Sequence, residues 1–514
     1  MARWLVTETF SNADEVVSLT ARNGATWNLL PLVLAFGFLL RAAVALNTDL
    51  FPHPDVPFQY LEQAHRLTFG YGIIPWEYVY GIRSWIIPGF IALILSALSA
   101  VGLDTPLVYR PVVELIFCSI SLALPFSVYR TTQSILDETS ARLALVATSF
   151  WYEIVYFAHT PLADALAAYA LFGALMYLLR PPSRSAILAF GALAGLTLVL
   201  RYQLGPPIAV ACGIAFALWG WRCWPALATF SLVLILSGAL DAYTWGFWFS
   251  SIVYNLELNF FHDIAGQFSR APAHFYLVAL AETSLGVAYI GFLGLLLSWR
   301  QTWPLSAVGL TLLLTFSLVS HKEVRFIFPL VPIYLIGIAA LVAGPQTRVA
   351  LRSGPAARFI LFLLAPSLLL LIMKATVLGT IYRIGRDPLL RSYLVLSERD
   401  DVEGLIDESG GDWYWAGGYY HLHKNVPIYR PDLAPTTTFA MVLESPTRFA
   451  THWITRSDTA PSADYTLLSR IGEMTIWHRN GNFGRTEIAP GYTTIAPATE
   501  IDLASIPPKV RARW

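Results

Sequence analysis

The sequence predicts an all-α polytopic membrane protein with about eleven transmembrane helices and a small soluble α/β domain at its C-terminal end. Three observations carry this. Of the 514 residues, 56% are hydrophobic and only 13% are charged, where a soluble globular chain carries roughly 25% charged residues. Apolar stretches long enough to cross a bilayer recur as far as residue 381. After residue 382 the character changes to short β-prone runs broken by Gly, Pro and Asn, as in DWYWAGGYYHLHKNVPIYRPD.

A spanning helix needs about 20 apolar residues. Candidate segments fall at 28–47, 86–102, 108–129, 142–158, 163–179, 186–202, 206–222, 224–242, 274–298, 303–319, 325–343 and 359–381. The N-terminal stretch MARWLVTETFSNADEVVSLTARNG is polar and mixed in charge, without a cleavable signal pattern. The first apolar segment is therefore expected to remain as a span.

Lysine and arginine in short loops set the orientation. Arg180, Arg184, Arg222, Arg300, Arg348, Arg352 and Arg358 mark cytoplasmic loops. Asp164, Arg201, Asp241, the 243–272 loop and HKEVR at 321–325 then fall on the far side, with the C-terminal domain. Lys322 and Arg325 run against the charge rule there, which implies local partners. Strict alternation puts Asp164 on the wrong side unless one segment fails to cross. The segment 142–158 is short and carries Glu153 between Tyr152 and Tyr156, so it is the one expected not to cross. The organisation is then a cytoplasmic segment 1–27, a membrane domain 28–381 with a first extracytoplasmic loop at 48–85, and an extracytoplasmic soluble domain 382–514.

Charge and cysteine content exclude several functions. The formal net charge of +0 gives no basis for a nucleic-acid partner. Cys118, Cys212 and Cys223 all lie in apolar segments, and no CxxC or Cys/His spacing suggests a metal. His421 and His423 lack partner ligands by spacing and read as structural.

The first loop is too elaborate for a connection. FPHPDVPFQYLEQAHRLTFGYGIIPWEYVYGIRSWIIPG, residues 51–89, carries His53, Asp55, Glu62, His65, Glu77 and Arg83 among prolines and aromatics. Asp55 before Val56-Pro57 suits a helix N-cap. It also suits a general base toward a sugar hydroxyl at the membrane–water boundary. The helix that follows is amphipathic, and Trp76 and Trp85 fit headgroup depth. Elsewhere, Asp164 is a membrane-edge acid, functional by default, with pairing to Arg201 as the plain alternative. Lys322 and Arg325 suit a phosphate, or lipid headgroups.

The loop resembles the first luminal loop of glycosyltransferase family 22, the polyprenyl-phosphate-mannose-dependent α-mannosyltransferases with the GT-C fold. The resemblance rests on His53, Pro54, Asp55, Gln59, His65, Gly70, Gly72, Trp76, Glu77, Arg83, Ser84, Pro88 and Gly89. It continues through HTPLADALAAYAL, LVLRYQLGPP, LDAYTWGFWFSSIVYNLELN, APAHFYLVAL, HKEVRFIFPLVPIYL and GGYYHLHKNVPIYRPD, in the family order. Val56 stands where the family has a second acid, and Pro75 where it has Thr. Asp55 is left as the remaining acid of that motif.

The resemblance implies an inverting mannosyltransferase acting on the non-cytoplasmic face. It would use polyprenyl-phosphate-mannose as donor, a glycolipid or glycan as acceptor, and no cofactor. Asp55 would be the base and Asp164 a second acid candidate. Lys322, Arg325 and His321 would hold the donor phosphate. His53, Gln59, His65, Trp76, Glu77 and Arg83 would shape the loop over the acceptor. The alternatives are a GT-C transferase of another lipid-linked sugar, or a lipid-linked sugar transporter. The absence of Asn-x-Ser/Thr sequons and of cysteines in the C-terminal domain leans toward a bacterial inner membrane over the endoplasmic reticulum.

Overall fold

The computed structural model describes residues 29–343, 385–433, 435–481 and 483–496. The expected span 359–381, the segment 1–27 expected to be cytoplasmic, and Arg348, Arg352 and Arg358 lie outside these residues. The described chain falls into two compact units. One holds residues 29–42, Cys118–Ser237 and 269–343; the other holds Ala43–Phe117, Gly238–Phe268 and 385–496.

The membrane character is as expected, and the helices are more broken than hydropathy suggests. Among the described residues, three helical runs are long and apolar enough to cross a bilayer: Leu29–Asn47, Pro106–Ile135 and Tyr202–Trp245. Two bent pairs bring the number to five, against about eleven expected. The 44-residue run Tyr202–Trp245 would be about 66 Å long if straight, twice a bilayer core. It divides at Gly220, whose φ of +57° and ψ of −142° an L side chain rarely adopts. Gly205–Trp219 then packs on Trp299–Leu318, and Trp224–Trp245 on Arg184–Leu200. Three further apolar helices among the described residues are shorter than a bilayer core requires. Ile86–Ser99, Arg184–Leu200 and Leu330–Ala343 are apolar but hold 17 residues or fewer.

The expected span 274–298 is two helices, Phe275–Ser284 and Val287–Leu297, meeting at 104°. The corner is Leu285-Gly286, both at positive φ. The segment 142–158 is also divided. Glu138–Phe150 ends at Trp151, and Tyr152–Tyr156 leads through a 3-10 turn into Ala163–Leu178 with a bend of 115°. Glu153 is buried there and accepts from Trp151 Nε1 at 3.0 Å and Tyr334 Oη at 3.2 Å. Those donors allow an acid at a helix break inside the protein.

The first unit is built by close helix contact. A Cβ on Gly291 would lie 2.2 Å from the Tyr334 carbonyl oxygen, and one on Gly294 would lie 2.0 Å from that of Gly337. Val287–Leu297 and Leu330–Ala343 therefore touch backbone to backbone, the small-residue packing that associates helices in lipid. Arg41 is fully buried within the helix Leu29–Asn47. It donates to Ser121 Oγ at 3.0 Å and to the carbonyls of Gly37 and Ser149 at 2.9 and 2.8 Å, which gives a costly intramembrane cation its partners.

In the second unit, residues 385–496 form a five-stranded sheet of order β2-β1-β3-β5-β4. The strands are β1 Leu405–Glu408, β2 Ile428–Tyr429, β3 His452–Thr455, β4 Tyr465–Ile471 and β5 Met474–Arg479. β1 runs parallel to β2 and β3, while β5 is antiparallel to β3 and β4. The mixed sheet with short helices is the α/β domain expected. Ile406, Tyr429, Phe449, Trp453, Tyr465 and Trp477 make its core. Beneath it, buried Arg430 pairs with Asp407 at 2.6 Å and lies over the Trp413 ring.

Candidate functional site

The first loop gathers its polar residues through one amide. Pro57 lacks an N–H, and the chain opens into a wide π turn over Val56–Leu61, in which Glu62 N–H reaches back to the Pro57 carbonyl. This turn faces Gln59 inward. Its Nε2 donates to Asp55 Oδ1 and to Glu77 Oε1, both at 2.7 Å. With two carboxylates as acceptors, the amide orientation is settled, since the flipped rotamer would set oxygen against oxygen. Gln59 Oε1 is buried and has no hydrogen-bond partner among the described residues.

Asp55 itself is helical in backbone, with φ −58° and ψ −32°, and makes no side-chain cap. The N-cap reading is therefore not what its carboxylate does. Its Oδ1 lies 3.3 Å from His53 Nδ1, and its side chain is 17% exposed. Glu77 sits in the short helix Trp76–Val79 and pairs with Arg83 at 3.8 Å. Burial pushes the Glu77 pKa up; Arg83 opposes this and the charge on Asp55 adds to it. Val56 removed one acid from the motif, and the fold brings Glu77 to Asp55 through Gln59.

His65 and Trp76 are elsewhere. His65 is fully buried, with Nε2 2.9 Å from His423 Nδ1 and Nδ1 3.2 Å from the Tyr71 carbonyl. Burial lowers its pKa to about 3, so it is a neutral packing residue joining the loop to residue 423. Trp76 stacks with Phe268 at 6.5 Å, beside Ile82, Leu258 and Ile264. Glu62 was prominent in the sequence but carried no assignment. It accepts backbone N–H bonds from Ile73, Tyr419 and Tyr420 at 2.9–3.0 Å, so it fastens the loop to residues 419–420. Burial raises its pKa to about 7. Asp49 was also missed. It is buried and bound by Arg110 at 2.8 Å and Arg391 at 2.7 Å; its only sequence signal was an acid at the end of a span. A cavity of about 480 Å³ opens beside this loop, lined by Arg66, Tyr71, Gly72, Ile74, Trp85 and Thr494 among others. Arg66 stands 5.5 Å over the Trp85 ring.

The basic segment lies in the first unit. Asp164, in the first turn of Ala163–Leu178, is buried between Arg201 at 3.0 Å and Arg325 at 3.6 Å. Arg325 also forks onto Glu323 at 2.7 and 3.0 Å. Both guanidinium groups face Phe326, at 4.5 and 5.4 Å from its centroid. His321 Nε2 meets Glu323 at 2.9 Å. Lys322 donates to the carbonyls of Ala271, at 2.9 Å, and Val319. Arg325 has the local partners that its place against the charge rule implied. Arg201, Arg325 and the neighbouring Lys322 thus stand together with Asp164 and Glu323.

A helical membrane body with a carboxylate-bearing first loop and a C-terminal mixed sheet is the GT-C glycosyltransferase architecture. ArnT from Cupriavidus metallidurans, solved with undecaprenyl phosphate, superposes with a TM-score of 0.57 at 14% identity, over 88% of this chain and 98% of its own. The chain belongs to the Alg9-like mannosyltransferase family, whose profile matches residues 32–404. It is a membrane mannosyltransferase of glycosyltransferase family 22, and the transporter alternative is thereby set aside. Similar proteins include GPI mannosyltransferase 3 of Yarrowia lipolytica, 28% identical over 79% of this chain and 77% of its own length. GPI mannosyltransferase 3 of Drosophila melanogaster is 29% identical over 59% and 55%, and mannosyltransferase APTG1 of Arabidopsis thaliana is 26% identical over 63% and 60%. The chain spans little more than half the length of these last two relatives.

Proposed function

We propose that the protein transfers mannose from polyprenyl-phosphate-mannose to a glycolipid or glycan acceptor on the non-cytoplasmic membrane face, with inversion. The acceptor oxygen attacks C1 of the donor, the C1–O bond to phosphate breaks, and the electron pair leaves on the polyprenyl phosphate. The acceptor's proton passes to Asp55. The supporting observation is the bridged pair Asp55–Gln59–Glu77: a carboxylate held at 2.7 Å by a fixed amide in a partly open loop. Unpartnered Gln59 Oε1 suits an acceptor hydroxyl, and Glu77 and Arg83 hold the amide in register. The 480 Å³ cavity suits the acceptor, with Trp85 and Tyr71 for a sugar face and Arg66 for a phosphate.

The donor phosphate belongs with Lys322, Arg325 and His321, where the Lys322 and Arg325 side chains would stabilise the charge that grows on the leaving group. Asp164, between two arginines, suits holding those cations in place better than exchanging protons. The membrane domain 28–381 and an extracytoplasmic domain from residue 382 go with this reading. The named relatives come from a yeast, a fly and a plant, so the lean toward a bacterial membrane rests on sequons and cysteines alone. The donor is tested by offering purified protein synthetic short-chain polyprenyl-phosphate-mannose and polyprenyl-phosphate-glucose with a membrane glycolipid extract. A mannosylated product alone supports the proposal; glucosylation alone overturns the donor assignment.

A further inference from the structure

We propose that Asp401, His452 and His478 form a divalent-cation site on the C-terminal sheet, with zinc as the best-matched ion. His452 on β3 and His478 on β5 are direct cross-strand partners, with ring centroids 4.9 Å apart. Asp401, ahead of β1, brings Oδ1 to 3.8 Å from His452 Nε2 and Oδ2 to 3.2 Å from His478 Nε2. One ligand atom from each residue lies within 4.8 Å of the other two. A single ion with ligands at about 2.0–2.2 Å spans such a set with small side-chain adjustment.

The hydrogen bonds around His452 point to the same place. The residue is fully buried, and its Nε2 has no hydrogen-bond partner among the described residues. Its Nδ1 lies 2.9 Å from Thr451 Oγ1. That hydroxyl accepts from the Glu403 N–H at 2.9 Å and gives its own proton toward the Gly404 carbonyl at 3.4 Å. With its proton on that carbonyl, the hydroxyl has a lone pair left to take a proton from Nδ1. In that tautomer Nε2 presents a bare lone pair toward the Asp401 carboxylate. The two electron pairs then face each other beside the buried His452 ring, and a cation between them converts repulsion into coordination. The outer bond from Nδ1 to a fixed acceptor is the one that orients metal-binding histidines.

Ligand chemistry selects the ion. Two imidazoles and one carboxylate suit zinc, whereas calcium and magnesium require six or more oxygens, mostly absent here. Arg399 grips Asp401 at 2.8 and 2.5 Å and fixes the carboxylate while leaving it further lone pairs. His478 and Asp401 are partly exposed, which gives the ion a path from solvent. Spacing along the chain hid the site, because its ligands come from three separate segments.

The test uses the full-length protein in detergent, stripped by chelator and titrated with zinc against a chromophoric competitor, with cobalt as the spectroscopic probe. One zinc per chain and intense visible cobalt bands of a four-coordinate site are expected. Loss of an outer hydrogen bond costs about 10–100-fold in metal affinity. Thr451→Val, which keeps all three ligands, should lose that much, and His452→Ala more. His478→Gln, at a partly exposed position, serves as the ligand variant should His452→Ala fail to fold. Absence of tight zinc binding in the wild type overturns the site. So does unchanged affinity in a folded His452→Ala or His478→Gln, which would leave Asp401 as a plain ion-pair partner of Arg399.

Discussion

Glu62→Gln separates two roles that one buried carboxyl group combines. Glu62 is fully buried, and its oxygens accept the N–H groups of Ile73, Tyr419 and Tyr420. Its pKa is raised to about 7 by burial, from an ordinary 4.5. A raised value means that its contribution to stability is fully present below about pH 4.5 and is lost as pH rises through about 7. Between pH 5 and 8 the loss comes to about 2–3 kcal/mol, since each pKa unit is worth about 1.36 kcal/mol. Glutamine cannot titrate. It keeps one oxygen for two of the donors but turns an NH2 toward the third, at a cost of about 1–2 kcal/mol.

Hydrogen exchange of the Tyr419 and Tyr420 amides, corrected for intrinsic rates, reads this directly. Wild-type protection should fall roughly 30–150-fold from pH 5 to pH 8. Glu62→Gln should be flat across that range and start below wild type at pH 5. A wild-type profile as flat as the variant's would refute the reasoning, because Glu62 would then be ionised throughout and held by its three N–H donors alone.

Other outcomes follow from the same contacts. Arg201→Met should destabilise the protein by about 3–5 kcal/mol in thermal unfolding, because Asp164 would lose its nearer partner in a buried setting; Asp164→Asn combined with Arg201→Met should recover part of this. Gly337→Val should abolish the folded protein on size exclusion, since its Cβ would fall 2.0 Å from the Gly291 carbonyl oxygen. Gln59→Leu should reduce mannose transfer by at least about 100-fold in protein that still folds, and cost about 1–3 kcal/mol of stability, because it frees both carboxylates from their shared donor.

The local part of the site was legible in the sequence. Asp55, Gln59, Glu77 and Arg83 share one short loop, so residue chemistry and motif spacing bring them together on the page as in the fold. The partners of His65 and Glu62 were not legible. They lie 358 and 357 residues away and meet only in the folded unit. The helix breaks escaped for a different reason: a hydropathy window averages over Leu285-Gly286 and Trp151 and does not register a backbone corner. Asp164 was visible as a membrane-edge acid, but its choice between catalysis and pairing depended on Arg325, far along the chain. The metal trio was invisible, since no two of its ligands stand at a ligand spacing.

The most direct measurement is mannose transfer by purified wild type and Asp55→Asn, with short-chain polyprenyl-phosphate-mannose as donor and a membrane glycolipid extract as acceptor. Asparagine keeps an oxygen for the Gln59 amide and removes the proton acceptor. The account predicts turnover in wild type, and in the variant unchanged donor binding with transfer reduced by about 100-fold or more. Turnover at the wild-type rate in a folded Asp55→Asn would contradict it and leave Asp55 a structural partner of Gln59.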